Sequence, residues 1–238
     1  QRAGESHAEV MALTSAGRRS QGATLFVTLE PCCHTGKTPP CTQAIIQSGI
    51  SQVYFAYLDP NPCVAGQGQR QLQQAGIACD YLPCQSVEEF YRSYAYWTVH
   101  RRPWVTIKLA MTAQGAIAGD NGRPMAITGR KANQLTHARR FHSDAILTSV
   151  STVMADDPQF TARHLNGVLH KPVFVIDPRL QIPLSSRLIS MAKPLCVLCG
   201  KDAPALKRKA LLARGVLLQE INMDALGHAQ LLDVLRVI

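Results

Sequence analysis

Short runs of β-forming residues alternate with helix-patterned stretches along most of this chain, and that order restricts it to an α/β architecture built around parallel strands. Ala23 to Leu29 is Ala-Thr-Leu-Phe-Val-Thr-Leu. It is short and nearly unbroken in β-formers, as a strand buried on both faces would be. Residues 7–16 before it have helical spacing of apolar side chains, with Ser6 as the N-cap, so His7 and Glu9 fall in the first turn. After it the chain reads as a helix at Cys41–Ser48 closed by Gly49, then a strand at Gln52–Tyr57 and a turn at Asp59-Pro60-Asn61-Pro62. A helix at Gln67–Gln74, a strand at Ile77–Tyr81 and a helix at Val87–Trp97 follow. The pattern predicts a three-layer α/β unit.

Arg101-Arg102-Pro103 breaks the last helix, and a second alternating run begins there. Two domains are expected, residues 1–99 and 100–238. In the second, strands are predicted at Trp104–Ala110, Ala145–Ser149, Pro172–Ile176 and Pro194–Leu198, and helices near Gly129–Phe141, Ala203–Ala213 and Ala225–Val237. A length of 238 residues gives each domain enough chain to bury a core.

The formal charge of +9 suits nucleic acid, an acidic surface or small anionic substrates. The basic residues are scattered, the densest groups being Arg101-Arg102, Arg139-Arg140 and Lys207-Arg208-Lys209. That argues against a continuous nucleic-acid stripe and fits phosphorylated metabolites equally well. No run of about 18 apolar residues is present and no signal-peptide pattern opens the chain, so a cytoplasmic protein without a membrane span is expected.

Of the eight cysteines, Cys32, Cys33 and Cys41 crowd beside His34. Reduced thiols are expected, because the spacing is not that of a disulfide framework. His7 on a helix start, Cys32 after a buried strand and Cys41 on the next helix offer one imidazole and two thiolates. These are ligands zinc prefers, and three of them leave a fourth position for water, the catalytic type of site. Glu9, two residues from His7, can reach that water without ligating and would move protons. The same logic underlies the H-x-E…P-C-x-x-C signature of base deaminases, although the second cysteine here comes late. The alternatives are a closed site completed by Cys33, or thiols without metal. Cys196-Val197-Leu198-Cys199 has redox spacing but lies in an expected buried strand without a partner pair, so structural cysteines are expected there.

At Thr28-Leu29-Glu30-Pro31-Cys32-Cys33-His34-Thr35-Gly36-Lys37-Thr38-Pro39-Pro40-Cys41, and again at Asp59-Pro60-Asn61-Pro62 with Val64-Ala65-Gly66, the chain resembles the bifunctional riboflavin-biosynthesis deaminase/reductases. The resemblance runs nearly end to end. It implies zinc held by His7, Cys32 and Cys41, Glu9 as the acid/base, and His34, Lys37 and Asn61 as substrate contacts. The implied reaction removes the exocyclic amine of a phosphoribosylamino-diaminopyrimidinone. The implied folds are a cytidine-deaminase-like domain and an incomplete dihydrofolate-reductase-like domain, the first short at its N-terminal side and the second at its C-terminal side.

For the second domain the resemblance implies NADPH-dependent reduction of the ribosyl group to ribityl. Ala110, Thr152 and Asp156 would contact the cofactor, and Lys108, Thr128, Arg140, Phe160 and Arg163 the substrate. A homo-oligomer is implied as well. The chain departs from the family pattern at Gln114, Pro124, Ala126 and Asn133. Two alternatives follow: a deaminase with a silent reductase domain, and a basic zinc module that binds RNA or a partner without catalysis.

Overall fold

A computed structural model describes residues 4–62, 64–123, 125–164, 167–192 and 194–238. The chain divides into two compact units, Gln1–Trp104 and Val105–Ile238.

In the first unit, β1 (Thr24–Val27), β2 (Gln52–Phe55) and β3 (Ala78–Tyr81) form a parallel sheet in the order β1-β2-β3. Leu25 pairs with Val53 and Val53 with Cys79, so these residues share one face. Helices α1 (Ala8–Ala16), α2 (Cys41–Gln47) and α3 (Gln67–Gln74) supply Leu13, Ile45 and Leu72 to the core on that face, beside Val53, Phe55 and Cys79. Helix α3 is otherwise glutamine-rich, and Leu72 is its one buried large apolar residue. Gln69 and Gln73 add side-chain hydrogen bonds to the Cys79 carbonyl, 2.8 and 3.0 Å, tying the helix to β3.

Three expectations change here. Helix α1 is capped by His7 rather than Ser6, with extended backbone and no side-chain cap. The strand at Thr24–Val27 is buried on one face only, because Phe26 is 67% exposed and stacks on Tyr54 across an open face. Helix α4 (Gln85–His100) runs longer at both ends than its apolar pattern indicates, and Arg101 ends it in the left-handed conformation. It meets the strands just past their carboxyl ends, where Tyr91 stacks on Tyr57 and Tyr94 donates to Asp59.

The second unit opens irregularly. Residues 103–112 make no strand, against the expectation for Trp104–Ala110, and Ile107 is 86% exposed. The local β-propensity is real, but no strand of the sheet pairs with this stretch, and a strand exists only through its neighbours. Then come α5 (Arg130–His142), β4 (Ile146–Ser149), α6 (Val150–Asp156), a small antiparallel pair of β5 (Ala162–His164) with β6 (Gly167–Leu169), β7 (Val173–Ile176), α7 (Arg187–Met191), β8 (Leu195–Cys199), α8 (Ala205–Leu212), β9 (Leu217–Glu220) and α9 (Leu231–Val237). The main sheet is parallel in the order β4-β7-β8-β9.

Every residue of β8 is buried, which explains its continuous apolar run Leu-Cys-Val-Leu-Cys. Val197 and Cys199 face a core shared with Val153, Leu188 and Leu211, while Cys196 and Leu198 face a second one with Ile221 and Val234. Both cysteines of this strand are thus core residues, as expected, and burial pushes both thiols up. The helix expected over Ala225–Val237 begins only at Leu231. Asp224 accepts the Leu226 and His228 N–H groups, and this local turn competes with helix.

Leu72→Ala removes the apolar anchor of α3 and is expected to cost about 2–5 kcal/mol in denaturant unfolding; a loss below about 1 kcal/mol would show that the glutamines hold the helix without it.

Candidate metal centre

The strands and helices of the first unit bring three donors together. The Nδ1, Sγ and Sγ atoms of His7, Cys32 and Cys41 form a group in which all ligand atoms lie within 4.8 Å of one another. His7 caps α1, Cys32 lies in the loop after β1, and Cys41 opens α2. His7 Nδ1 sits 3.2 Å from Cys41 Sγ and 3.6 Å from Cys32 Sγ. Donors at the vertices of a zinc tetrahedron, with bonds near 2.0–2.3 Å, stand roughly 3.4–3.8 Å apart, so the cluster is already near a ligating geometry. Cys33 is not in the group, which leaves three protein donors among the described residues and argues against the closed alternative.

The outer ring nitrogen of His7 lies 3.4 Å from Thr38 Oγ1. A partner on that nitrogen fixes the tautomer and leaves Nδ1 free for a cation. Cys32 is held on both sides. Its sulfur accepts the Cys41 N–H at 3.3 Å, and its carbonyl accepts the Thr42 N–H at 3.2 Å.

The two thiols share their protons unequally. Cys32 is pulled down to about 5, chiefly by the hydrogen bond from the Cys41 side chain, against burial and with help from the Cys41 N–H and His7. Cys41 is pushed far up by that same bond, by burial and by the charge of Glu9. A thiolate beside a thiol that resists ionising is a pair in need of a cation, and a metal that binds here displaces the remaining proton. Glu9, in the first turn of α1, raises the Cys41 thiol by its charge and stays outside the donor group.

The other expected substrate contacts are scattered. His34 and Lys37 are exposed on the loop between Cys33 and Pro40. Asn61 is half-buried, and its N–H donates to Asp59 Oδ1 at 2.9 Å, the same oxygen that accepts from Tyr94.

In the second unit, Lys108 and Ala110 lie on the irregular stretch, whereas Thr152 and Asp156 sit one turn apart on α6, which begins where β4 ends. Thr128 is 3.4 Å from the Asn133 side chain. Pro124 lies outside the described residues.

Arg140, Phe160 and Arg163 do converge. The Arg140 guanidinium lies over the Phe160 ring at 5.2 Å and donates to the Thr161 carbonyl, while Phe160 holds a positive φ of 49°. Neither arginine is in an ion pair among the described residues.

His137 belongs to this cluster and was not expected. Its Nδ1 lies 3.2 Å from the Arg163 N and 3.2 Å from the Thr161 carbonyl, and burial, Arg140 and Arg163 lower its pKa against the Thr161 contact. The i, i+3 spacing from Arg140 was the available signal.

A parallel sheet whose strand ends and following helices gather His-x-Glu, Pro-Cys and Cys around one point is a domain of the cytidine-deaminase class. Residues 1–57 match the model of the cytidine and deoxycytidylate deaminase zinc-binding region, and residues 103–237 match the RibD C-terminal domain. The chain belongs to the RibD family. The riboflavin biosynthesis protein RibD of Aquifex aeolicus is 40% identical over 216 residues, 89% of this chain and 61% of that protein. That of Bacillus amyloliquefaciens is 35% identical over 234 residues, 98% and 63% of the two.

Among solved structures, Acinetobacter baumannii RibD superposes with a TM-score of 0.80 at 34% identity, covering 93% of this chain and 62% of that one. A diaminohydroxyphosphoribosylaminopyrimidine deaminase/5-amino-6-(5-phosphoribosylamino)uracil reductase from Thermotoga maritima gives 0.75 at 31%, covering 91% and 68%. The chain spans about three fifths of the length of these two curated relatives. No helix among the described residues is long and apolar enough to cross a membrane.

Purified with zinc, the chain is expected to hold one ion. Cys41→Ala should lose it, and Glu9→Gln should keep it. Elemental analysis decides, and zinc missing from Glu9→Gln would make Glu9 a ligand.

Proposed function

We infer that the first unit deaminates a phosphoribosylamino-diaminopyrimidinone by hydrolysis in riboflavin biosynthesis, with zinc held by His7, Cys32 and Cys41. The observation that carries this reading is the three-donor cluster with a non-ligating carboxylate, Glu9, beside it. Zinc, when bound, supplies Lewis acidity and makes water acidic enough to lose a proton near neutral pH.

Glu9 accepts that proton and delivers it to the ring nitrogen as the oxygen adds to the carbon bearing the amine. It then helps move a second proton onto the departing nitrogen, so water is consumed and ammonia released. Thr38 keeps the His7 ring oriented. His34, Lys37 and Asn61 would contact the substrate, with Asp59, itself bonded by Tyr94, fixing the backbone at Asn61. The exposed charge of Lys37 would attract the substrate phosphate.

The second unit, on this reading, reduces the ribosyl group to ribityl with NADPH. Thr152 and Asp156 lie beyond the carboxyl end of β4, where nucleotides bind in parallel sheets, and Ala110 would join them. NADPH supplies a hydride when bound. Arg140 and Arg163, without carboxylate partners among the described residues, would hold the substrate phosphate, with Phe160, Lys108 and Thr128 around the rest of the substrate. A cytoplasmic setting goes with this reading, since the site needs reduced thiols, as does a homo-oligomer. The irregular stretch carrying Lys108 and Ala110 favours the second reading, in which the reductase domain is silent.

Two outcomes test the proposal. The zinc-loaded chain should release ammonia from the diaminopyrimidinone nucleotide, and Glu9→Gln should slow it by about 10²–10⁴-fold; an unchanged rate would remove Glu9 from the reaction. Arg163→Ala should raise the reductase KM about tenfold or more with kcat nearly kept. NADPH oxidation absent even from the unmodified chain would favour the silent domain.

A further inference from the structure

Glu30 is the only acidic residue in the loop that carries Cys32, and it is 2% exposed. A buried carboxyl group without hydrogen-bond partners would be costly, and here the partners come from a helix 36 residues away. Oε2 accepts the Gly66 N–H at 2.9 Å and Oε1 the Gln69 N–H at 3.2 Å. These are the N-cap and third-residue N–H groups of α3, two of the orphan donors at a helix start.

The backbone of Glu30 is tied as well, its N–H donating to the Tyr57 carbonyl at 2.9 Å beyond β2. Helix α3 presses directly on the next peptide. A Cβ on Gly68 would run into the Pro31 carbonyl oxygen and come within 3.2 Å of Glu30 Oε1. The peptide unit that α3 grips is therefore the one joining Pro31 to Cys32. Further along α3, Gln71 Oε1 lies 2.5 Å from Thr42 Oγ1, which lies 3.3 Å from the Cys32 carbonyl.

We propose that Glu30 is a positioning residue of the metal centre: by clamping α3 onto the Pro31–Cys32 peptide it sets where the Cys32 sulfur sits, and it neither ligates nor transfers protons. The inference rests on the reading of His7, Cys32 and Cys41 as a zinc site. A role in general packing alone would make Glu30 no different from any other contact that secures α3. Gln73 is such a contact, bonding the Cys79 carbonyl from the helix's far end, and it serves as the comparison.

The test uses the full chain loaded with zinc or with cobalt(II). Zinc loss to a chromophoric chelator and the visible bands of the cobalt form are followed for the unmodified protein, Glu30→Gln and Gln73→Ala. Glu30→Gln keeps the volume but turns an amide N–H toward a backbone N–H. It is expected to speed zinc loss about tenfold or more and to shift the cobalt bands, with Gln73→Ala like the unmodified protein in both. If Glu30→Gln does not fold, Glu30→Asp, which keeps the charge but cannot span both N–H groups, carries the same expectation. Metal release and spectra unchanged in the Glu30 variant, or changed equally in Gln73→Ala, would overturn the proposal. An unmodified protein that binds neither metal would overturn the zinc reading beneath it.

Discussion

Two sulfurs and an imidazole nitrogen held within 4.8 Å of one another are a poor arrangement for a protein without a cation among them. The first proton leaves Cys32 readily because Cys41 donates to it, and the second is then hard to remove. A divalent ion in the proton's place removes the second difficulty and holds both sulfurs ionised. The surrounding fold keeps the donors from relaxing apart: a helix start, a loop after a strand and a second helix start are each fixed by their own backbone bonds. The chemistry proposed for Glu9 draws on that rigidity, since a carboxylate beside the cluster but outside it can exchange protons without competing for the metal.

The second unit arranges its polar groups differently. Its sheet is a dry scaffold, with β8 buried throughout, and its polar groups gather elsewhere. Arg140 and Arg163 stay close although they repel. His137 bonds the backbone at Arg163, and the Phe160 face and the Thr161 carbonyl receive Arg140. Two guanidinium groups kept near each other without an ion-paired carboxylate among the described residues suit an anionic ligand.

Much of this was legible in the sequence. The three donors that the structure gathers, and Glu9 near them, could be named because the chemistry needs those residue types in one neighbourhood. The bounds of α3 match those read from the chain, since Gly66 and Gly76, both with positive φ, flank it. The strand expected at Trp104–Ala110 is absent because β-propensity is local while pairing is not. The open face at Phe26 was hidden for the same reason. Glu30 looked like part of a motif rather than a clamp, because its partners lie 36 and 39 residues away. Thr38 and His137 were missed likewise, as their roles exist only once distant segments meet.

Zinc K-edge X-ray absorption on the loaded chain probes the centre most directly. The expected result is two sulfur neighbours near 2.3 Å and two light-atom neighbours at about 2.0–2.1 Å, one an imidazole nitrogen. Three or four sulfurs in the first shell, or a shell of light atoms alone, would contradict the account.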